Sequence, residues 1–180
     1  ADASSADVVL RVRRPDSDDF LAVRAGRGPR AALLTAKKIN NGDRTLRAEG
    51  SRAIADRATL ADLPVPLELV EAGLAAVTGT ASDVDAWVRA SVLRLAVTHS
   101  PTDLQIAAVL GPNRAHVESW LRWLPHAAPR SGGLACVGIG ATEGQVLLEE
   151  LASADGGTAH TLVLVDEGAG LPRRLVEAVA

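Results

Sequence analysis

An α/β fold, with a parallel sheet, helices on both faces and a small β-rich segment ahead of it, follows from three observations. From Leu67 onward short apolar runs alternate with amphipathic stretches. The run Leu104 to Leu110 is apolar almost throughout, as a strand covered on both faces must be. The rhythm changes after Leu63-Pro64-Val65-Pro66, whose prolines favour extended backbone. Alternation of this kind implies parallel strands joined by right-handed crossovers.

The elements are read in chain order. Residues 1–7 are small and polar and read as a frayed start, Val8 to Val12 as a strand and Asp16 to Asp19 as a turn. Phe20 to Ala25 reads as a second strand, ended by Gly26-Arg27-Gly28-Pro29. Residues 30–60 are charged and irregular, with Asn41-Gly42 as a turn signal. Leu63 to Pro66 is then a rigid connector, giving an N-terminal segment over 1–62 and an α/β domain over 63–180. Leu74 to Thr78, between Gly73 and Gly79, reads as the first strand of that domain. Ser82 is the expected N-cap of a helix to Thr98, with Asp83 and Asp85 favoured by its dipole. Val84, Val88, Ser91, Val92 and Leu95 line its inner face.

After the strand Leu104 to Leu110, Gly111-Pro112-Asn113 opens a helix carrying Val117, Trp120, Leu121 and Leu124 on one face, stopped by Pro125. Leu134 to Ile139 is a strand and Thr142 to Ala152 a helix. Thr161 to Val165 is the last strand and Leu171 to Val179 the closing helix.

Composition excludes several functions. The 180 residues carry a formal charge of −3, without the basic excess of a nucleic-acid binder. Lysine occurs only at Lys37 and Lys38, and the arginine bias reads as genomic rather than functional. The single cysteine, Cys136, lies in an apolar run, so neither a disulfide nor a thiolate metal site is expected. No apolar stretch approaches the ~20 residues of a membrane span, and no signal peptide is read. The absence of any Met suits a piece of a larger protein. His99, His116, His126 and His160 lack metal-ligand spacing, and no G-x-S-x-G elbow is present.

His160-Thr161-Leu162-Val163-Leu164-Val165-Asp166-Glu167 has the form of a Walker B strand. Such a strand delivers Asp166 to the carboxyl edge of the sheet, where it holds water on Mg²⁺ while Glu167 orients an attacking water. The bland alternative is a strand that ends in solvent-facing acids. The fold is therefore expected to be three-layered and P-loop/RecA-like. The matching phosphate loop is expected at Gly79-Thr80-Ala81-Ser82, before the helix. That turn has no lysine, and Asp83 and Asp85 stand where phosphates would sit. A second glycine turn, Gly138 to Gly144, imitates a dinucleotide fingerprint but carries Glu143 in place of the third glycine. Trp120 and Trp123 read as core, with a docking surface as the alternative.

Two further motifs carry a resemblance. His99-Ser100-Pro101-Thr102-Asp103 ahead of an apolar strand, and then Trp120-Leu121-Arg122-Trp123-Leu124-Pro125-His126, resemble a segment of FtsK/SpoIIIE-type ATPases of type VII secretion, the EccC/EssC group. The likeness runs from about Val65 to Asp166, and Phe20 to Gly28 also resembles the strand leading into that region. The resemblance implies the ATPase-like domain between the transmembrane helices and the first ATPase module, with a degenerate nucleotide site. It implies His99, Pro101, Asp103, Trp120, Trp123, Leu124, Pro125 and His126 as family-motif, structural residues, while Gly79, Thr80, Asp166 and Glu167 are expected as the remnant of a nucleotide site from strand and turn position alone. No catalytic residue, metal or cofactor is expected in this fragment; ATP and Mg²⁺ belong to the parent. The expected role is non-catalytic coupling at the cytoplasmic face of the membrane. Its partners would be neighbouring domains, other subunits and a membrane secretion complex, without nucleic acid or membrane insertion. The alternatives are a regulator that binds ATP weakly, or with a neighbouring subunit's help, and a dinucleotide enzyme using Gly138 and Gly140.

Overall fold

The structure, a computed structural model, describes residues 11–33, 41–114, 119–128, 136–153 and 159–177. It contains β1 (Ala22–Ala31), α1 (Arg44–Asp56), β2 (Thr59–Glu68), α2 (Leu69–Ala72), α3 (Ala81–Thr98), β3 (Leu104–Leu110), β4 (Val137–Ile139), α4 (Gly140–Ser153), β5 (His160–Val165) and α5 (Arg173–Glu177). Short 3₁₀ turns span Ser119–Trp123, Pro125–Ala127 and Glu167–Ala169. The chain forms two compact units, one from residues 22–68 and one from residues 1–21 with 69–180.

The larger unit holds the expected parallel sheet, in the order β4-β3-β5. β3 is central and buried at every residue, which is why its sequence has no polar face. It pairs with β5 from Leu104↔His160 to Val109↔Val165, and with β4 at Ala108, Val109 and Leu110. α4 packs Leu147 and Leu148 into a core with Ala107, Val109, Cys136 and Ala169. The close approach of α4 requires Gly144, where an added Cβ would meet Val109 Cγ1 at 2.2 Å. α3 runs as expected and buries Val92 and Leu95, but Thr80 caps it in place of Ser82. Thr80 Oγ1 accepts from the Asp83 N–H and donates to the Asp83 carboxylate.

The smaller unit is an antiparallel ribbon of β1 and β2 with α1. The sequence expectation differs here in several places. β1 continues through Gly26-Arg27-Gly28-Pro29 to Ala31, absorbing the glycines at two register shifts. Leu63 to Pro66 is part of β2, so the boundary expected between 62 and 63 falls inside a strand. A proline survives there because a two-stranded ribbon leaves one side of each strand unpaired. The irregular 30–60 region contains α1, started by Asp43, whose carboxylate accepts from the amides of Thr45 and Leu46.

Corrections also fall in the larger unit. Leu74 to Thr78 is exposed and irregular, not a strand. The helix expected after Gly111 is a 3₁₀ turn at Ser119–Trp123, and Val117 lies outside the described residues. Arg11 and Val12 are not in a strand; Arg13 makes one parallel bridge to His99, and residues 8–10 lie outside the described residues. Leu134 likewise lies outside them.

Packing against Val109 predicts that Gly144→Ala destabilises the larger unit by about 1–3 kcal/mol in chemical denaturation. Gly50, inside α1, has open space around its Cα. Gly50→Ala is expected to raise the helical circular-dichroism signal and stability by up to about 1 kcal/mol.

Candidate functional site

In the order β4-β3-β5 the chain leaves central β3 for one side and returns to its other side. A doubly wound sheet binds ligands in the crevice at the carboxyl edge, where the strand order reverses. Parallel pairing brings Asp166 and Gly111 together there. The Asp166 N–H donates to the Val109 carbonyl at 2.9 Å. The Gly111 N–H donates to Asp166 Oδ2 at 3.0 Å. Asp166 then opens the Glu167–Ala169 turn, where Ala169 is buried and Glu167 exposed. A Cβ on Gly111 would lie 2.6 Å from Asp166 Oδ2 and 2.9 Å from the Gly168 carbonyl carbon. The crevice is thus filled by its own carboxylate and backbone.

Two other turns are answered in the same manner. At the start of α4, the Ile139 N–H donates to Glu143 Oε2 at 2.8 Å. This amide sits in the Gly138–Gly144 turn, where a dinucleotide would place its pyrophosphate. At the start of α3, Asp83 takes the Thr80 hydroxyl at 2.7 Å. Asp85 is ion-paired with Arg114 from the loop after β3. Gly79 and Thr80 are exposed and do not follow a strand. Of the residues expected as a nucleotide-site remnant, Asp166 accepts from the Gly111 N–H and Thr80 donates to Asp83. Among the described residues no group of three or more His, Cys, Asp or Glu side chains is placed to hold a metal.

The two family motifs meet in the structure. His99 is fully buried. Its Nε2 accepts from the Leu21 N–H at 3.2 Å, which leaves Nδ1 to donate to the Leu95 carbonyl at 3.0 Å. Leu21 has φ +55, a left-handed backbone that a leucine holds only under constraint. The Phe20 ring packs edge-on against His99. His126 is buried too, and its Nε2 donates to the His99 carbonyl at 3.0 Å. Pro101 lies in the turn before β3, and the Asp103 carbonyl accepts from the first amide of β5, His160, at 2.9 Å. Leu124 and Pro125 start the second 3₁₀ turn. Trp120 is half-buried with Arg89 over its ring at 5.7 Å. Trp123 is 87% exposed, which corrects the expectation of a core residue.

Burial holds both imidazoles below the ordinary histidine range; the hydrogen bonds to Leu95 and His99 carbonyls oppose this, and Arg13 beside His99 and Arg11 beside His126 add to it. Sequence reasoning missed Gly111 and Arg114. The only signal for Gly111 was a glycine directly after a fully apolar strand.

No protein-family profile matches the chain. It is similar to the ESX-4 secretion system protein EccC4 of Mycobacterium tuberculosis, with 36% identity over 163 residues. That match takes in 86% of this chain and 13% of the relative. It is also similar to the ESX secretion system protein EccC of Thermomonospora curvata, with 29% identity over 64% of the chain and 9% of the relative. The ESX-3 protein EccC3 of M. tuberculosis matches at 29% over 63% of the chain and 9% of the relative. The chain thus spans a small fraction of each relative's length.

Two measurements test this geometry. Asp166→Ala and Gly111→Ala are each expected to cost about 1–3 kcal/mol, and the double variant less than their sum, because both break one contact. The unfolded chain takes up protons at the histidines near pH 6.5, while folded His99 and His126 resist protonation. Their contribution is therefore complete above about pH 6.5 and is lost as pH falls through their lower folded values. The melting temperature should drop between pH 7 and 5, and His99→Gln, which keeps an acceptor but does not titrate, should shrink that drop.

Proposed function

Because this chain is homologous to the EccC proteins of ESX secretion systems, we propose that it is part of a type VII secretion system and serves there as a non-catalytic coupling and assembly domain of an FtsK/SpoIIIE-type translocation ATPase. The observation that carries this reading is the self-occupied crevice. The Asp166 carboxylate, which in a working site would face Mg²⁺ through water, accepts the Gly111 amide instead. Asp83 and Glu143 occupy the other two turns. An incoming triphosphate would have to break these bonds and also meet the carboxylates, a repulsion of ~1 kcal/mol or more at a few ångströms. The residues present therefore do not fit ATP with Mg²⁺.

The domain would pass conformational change between the secretion complex and ATPase modules elsewhere in the parent. That task needs a rigid sheet and surfaces for neighbours. The fully buried β3 and the paired histidine motifs support the first, and exposed Trp123 supports the second. Among the described residues no helix is long and apolar enough to cross a membrane. The domain would work beside the membrane, on its cytoplasmic face, as part of an anchored parent.

The test is thermal unfolding with and without Mg-ATP. The expected result is no shift in melting temperature at millimolar nucleotide, since a ligand that binds only the folded chain stabilises it by mass action. Tight Mg-ATP binding, with hydrolysis lost in Asp166→Ala, contradicts the proposal.

A further inference from the structure

Residues 22–68 form a compact unit with almost no interior of their own. Beyond Val23, none of the described residues up to Glu68 is buried. α1 has 13 residues and buries none of them. A two-stranded ribbon and an isolated helix of this length are both marginal in water. Leu46, Gly50, Ala53 and Ile54 nevertheless fall at i, i+4, i+7 and i+8 and form one apolar stripe. Leu46 is 68% exposed at its head, and Leu60 of β2 is exposed as well. Such a stripe is built to be covered.

Charge points to the occupant. Between residues 22 and 68, nine Arg and Lys side chains stand against five Asp and Glu. This unit is therefore +4, and since the whole chain is −3, the remainder is −7. Within that remainder α4 has Glu143, Glu149 and Glu150 and no basic residue. Val146, Glu149, Glu150 and Ser153 fall at i, i+3, i+4 and i+7 and are all exposed. Exposed Val146 gives this acidic face an apolar centre. On α1, Arg44 and Arg47 lie on the side of the stripe next to Ile54.

We propose that the apolar, arginine-edged face of α1 docks on the acidic face of α4 of a second copy of this chain. The two surfaces differ, so the contact is head-to-tail: each copy gives its α1 to one neighbour and its α4 to another. Complementary charge sets the register, and burial of the leucine, isoleucine and valine side chains supplies the attraction. An anionic membrane suits this helix less well, because Glu49 and Asp56 flank the other side of the stripe and would face the headgroups. The inference goes beyond the coupling role proposed above. It stands even if nucleotide binds, because neither helix face includes Asp166, Gly111 or Thr80.

The test is sedimentation velocity of the full chain over a range of concentrations, in about 50 mM and about 0.5 M salt, where screening differs most. Concentration-dependent association at low salt, weakened at least about tenfold at high salt, is expected. Arg44→Glu with Arg47→Glu should weaken it about as much, and so should Glu149→Arg with Glu150→Arg. Combining all four substitutions in one chain should restore it, because the charges are exchanged rather than removed. All four substituted side chains are exposed, so circular dichroism should show every variant folded. A monomer at all concentrations overturns the proposal. So does association unaffected by the charge variants, or failure of the fourfold variant to recover. Binding to phosphatidylserine vesicles without self-association overturns it in favour of a lipid surface.

Discussion

At three turns of the chain a carboxylate takes a hydrogen-bond donor that could otherwise meet a phosphate. Asp166 holds the Gly111 amide, Glu143 the Ile139 amide and Asp83 the Thr80 hydroxyl. The first of these organises the most structure. It joins the end of the buried strand β3 to the turn after β5, and it is possible only because Gly111 has no side chain. The sheet keeps the architecture in which open α/β folds bind ligands at the carboxyl edge, while the edge itself is closed from within. A fold can retain a binding architecture when packing depends on it, even where the chemistry has been replaced.

The second organising contact is the histidine pair. His99 satisfies a buried amide at Leu21, and His126 satisfies the carbonyl of His99. His99 cannot fill its role while protonated at both nitrogens, because its Nε2 must accept from the Leu21 amide. In the motifs that resemble the secretion ATPases, His99 and His126 are thus both held by buried hydrogen bonds. They pin the stretch before β1 to the end of α3, and the 3₁₀ turns to the head of β3. Homology to the EccC proteins covers most of this chain and a small part of each relative.

Much of the larger unit was legible in the sequence. β3, α4 and β5 lie within two residues of expectation, because a fully apolar run and a helical period are local signals. α1 was not legible, since its apolar stripe is Leu46, Gly50, Ala53 and Ile54, two of them small, set among charged residues. Leu74 to Thr78 misled for the opposite reason: it has strand composition between glycines but no strand partner. Pro64 and Pro66 read as a connector, yet a ribbon with free edges accommodates them. Asp166 was legible as a carboxylate at a strand end. Its partner was not, because Gly111 lies 55 positions away and meets it only through the β3–β5 register. The exposure of Trp123 was hidden because a 3₁₀ turn replaces the helix whose period had placed it.

The central claim is that the Asp166 carboxylate is committed to the Gly111 amide and is not available to a nucleotide. Amide-resolved NMR of the chain during a Mg-ATP titration tests it most directly. The account predicts a Gly111 amide that is slow to exchange with solvent, moves on Asp166→Asn, and stays in place as Mg-ATP is added. A Gly111 resonance that exchanges freely, or that shifts saturably with Mg-ATP, would contradict it.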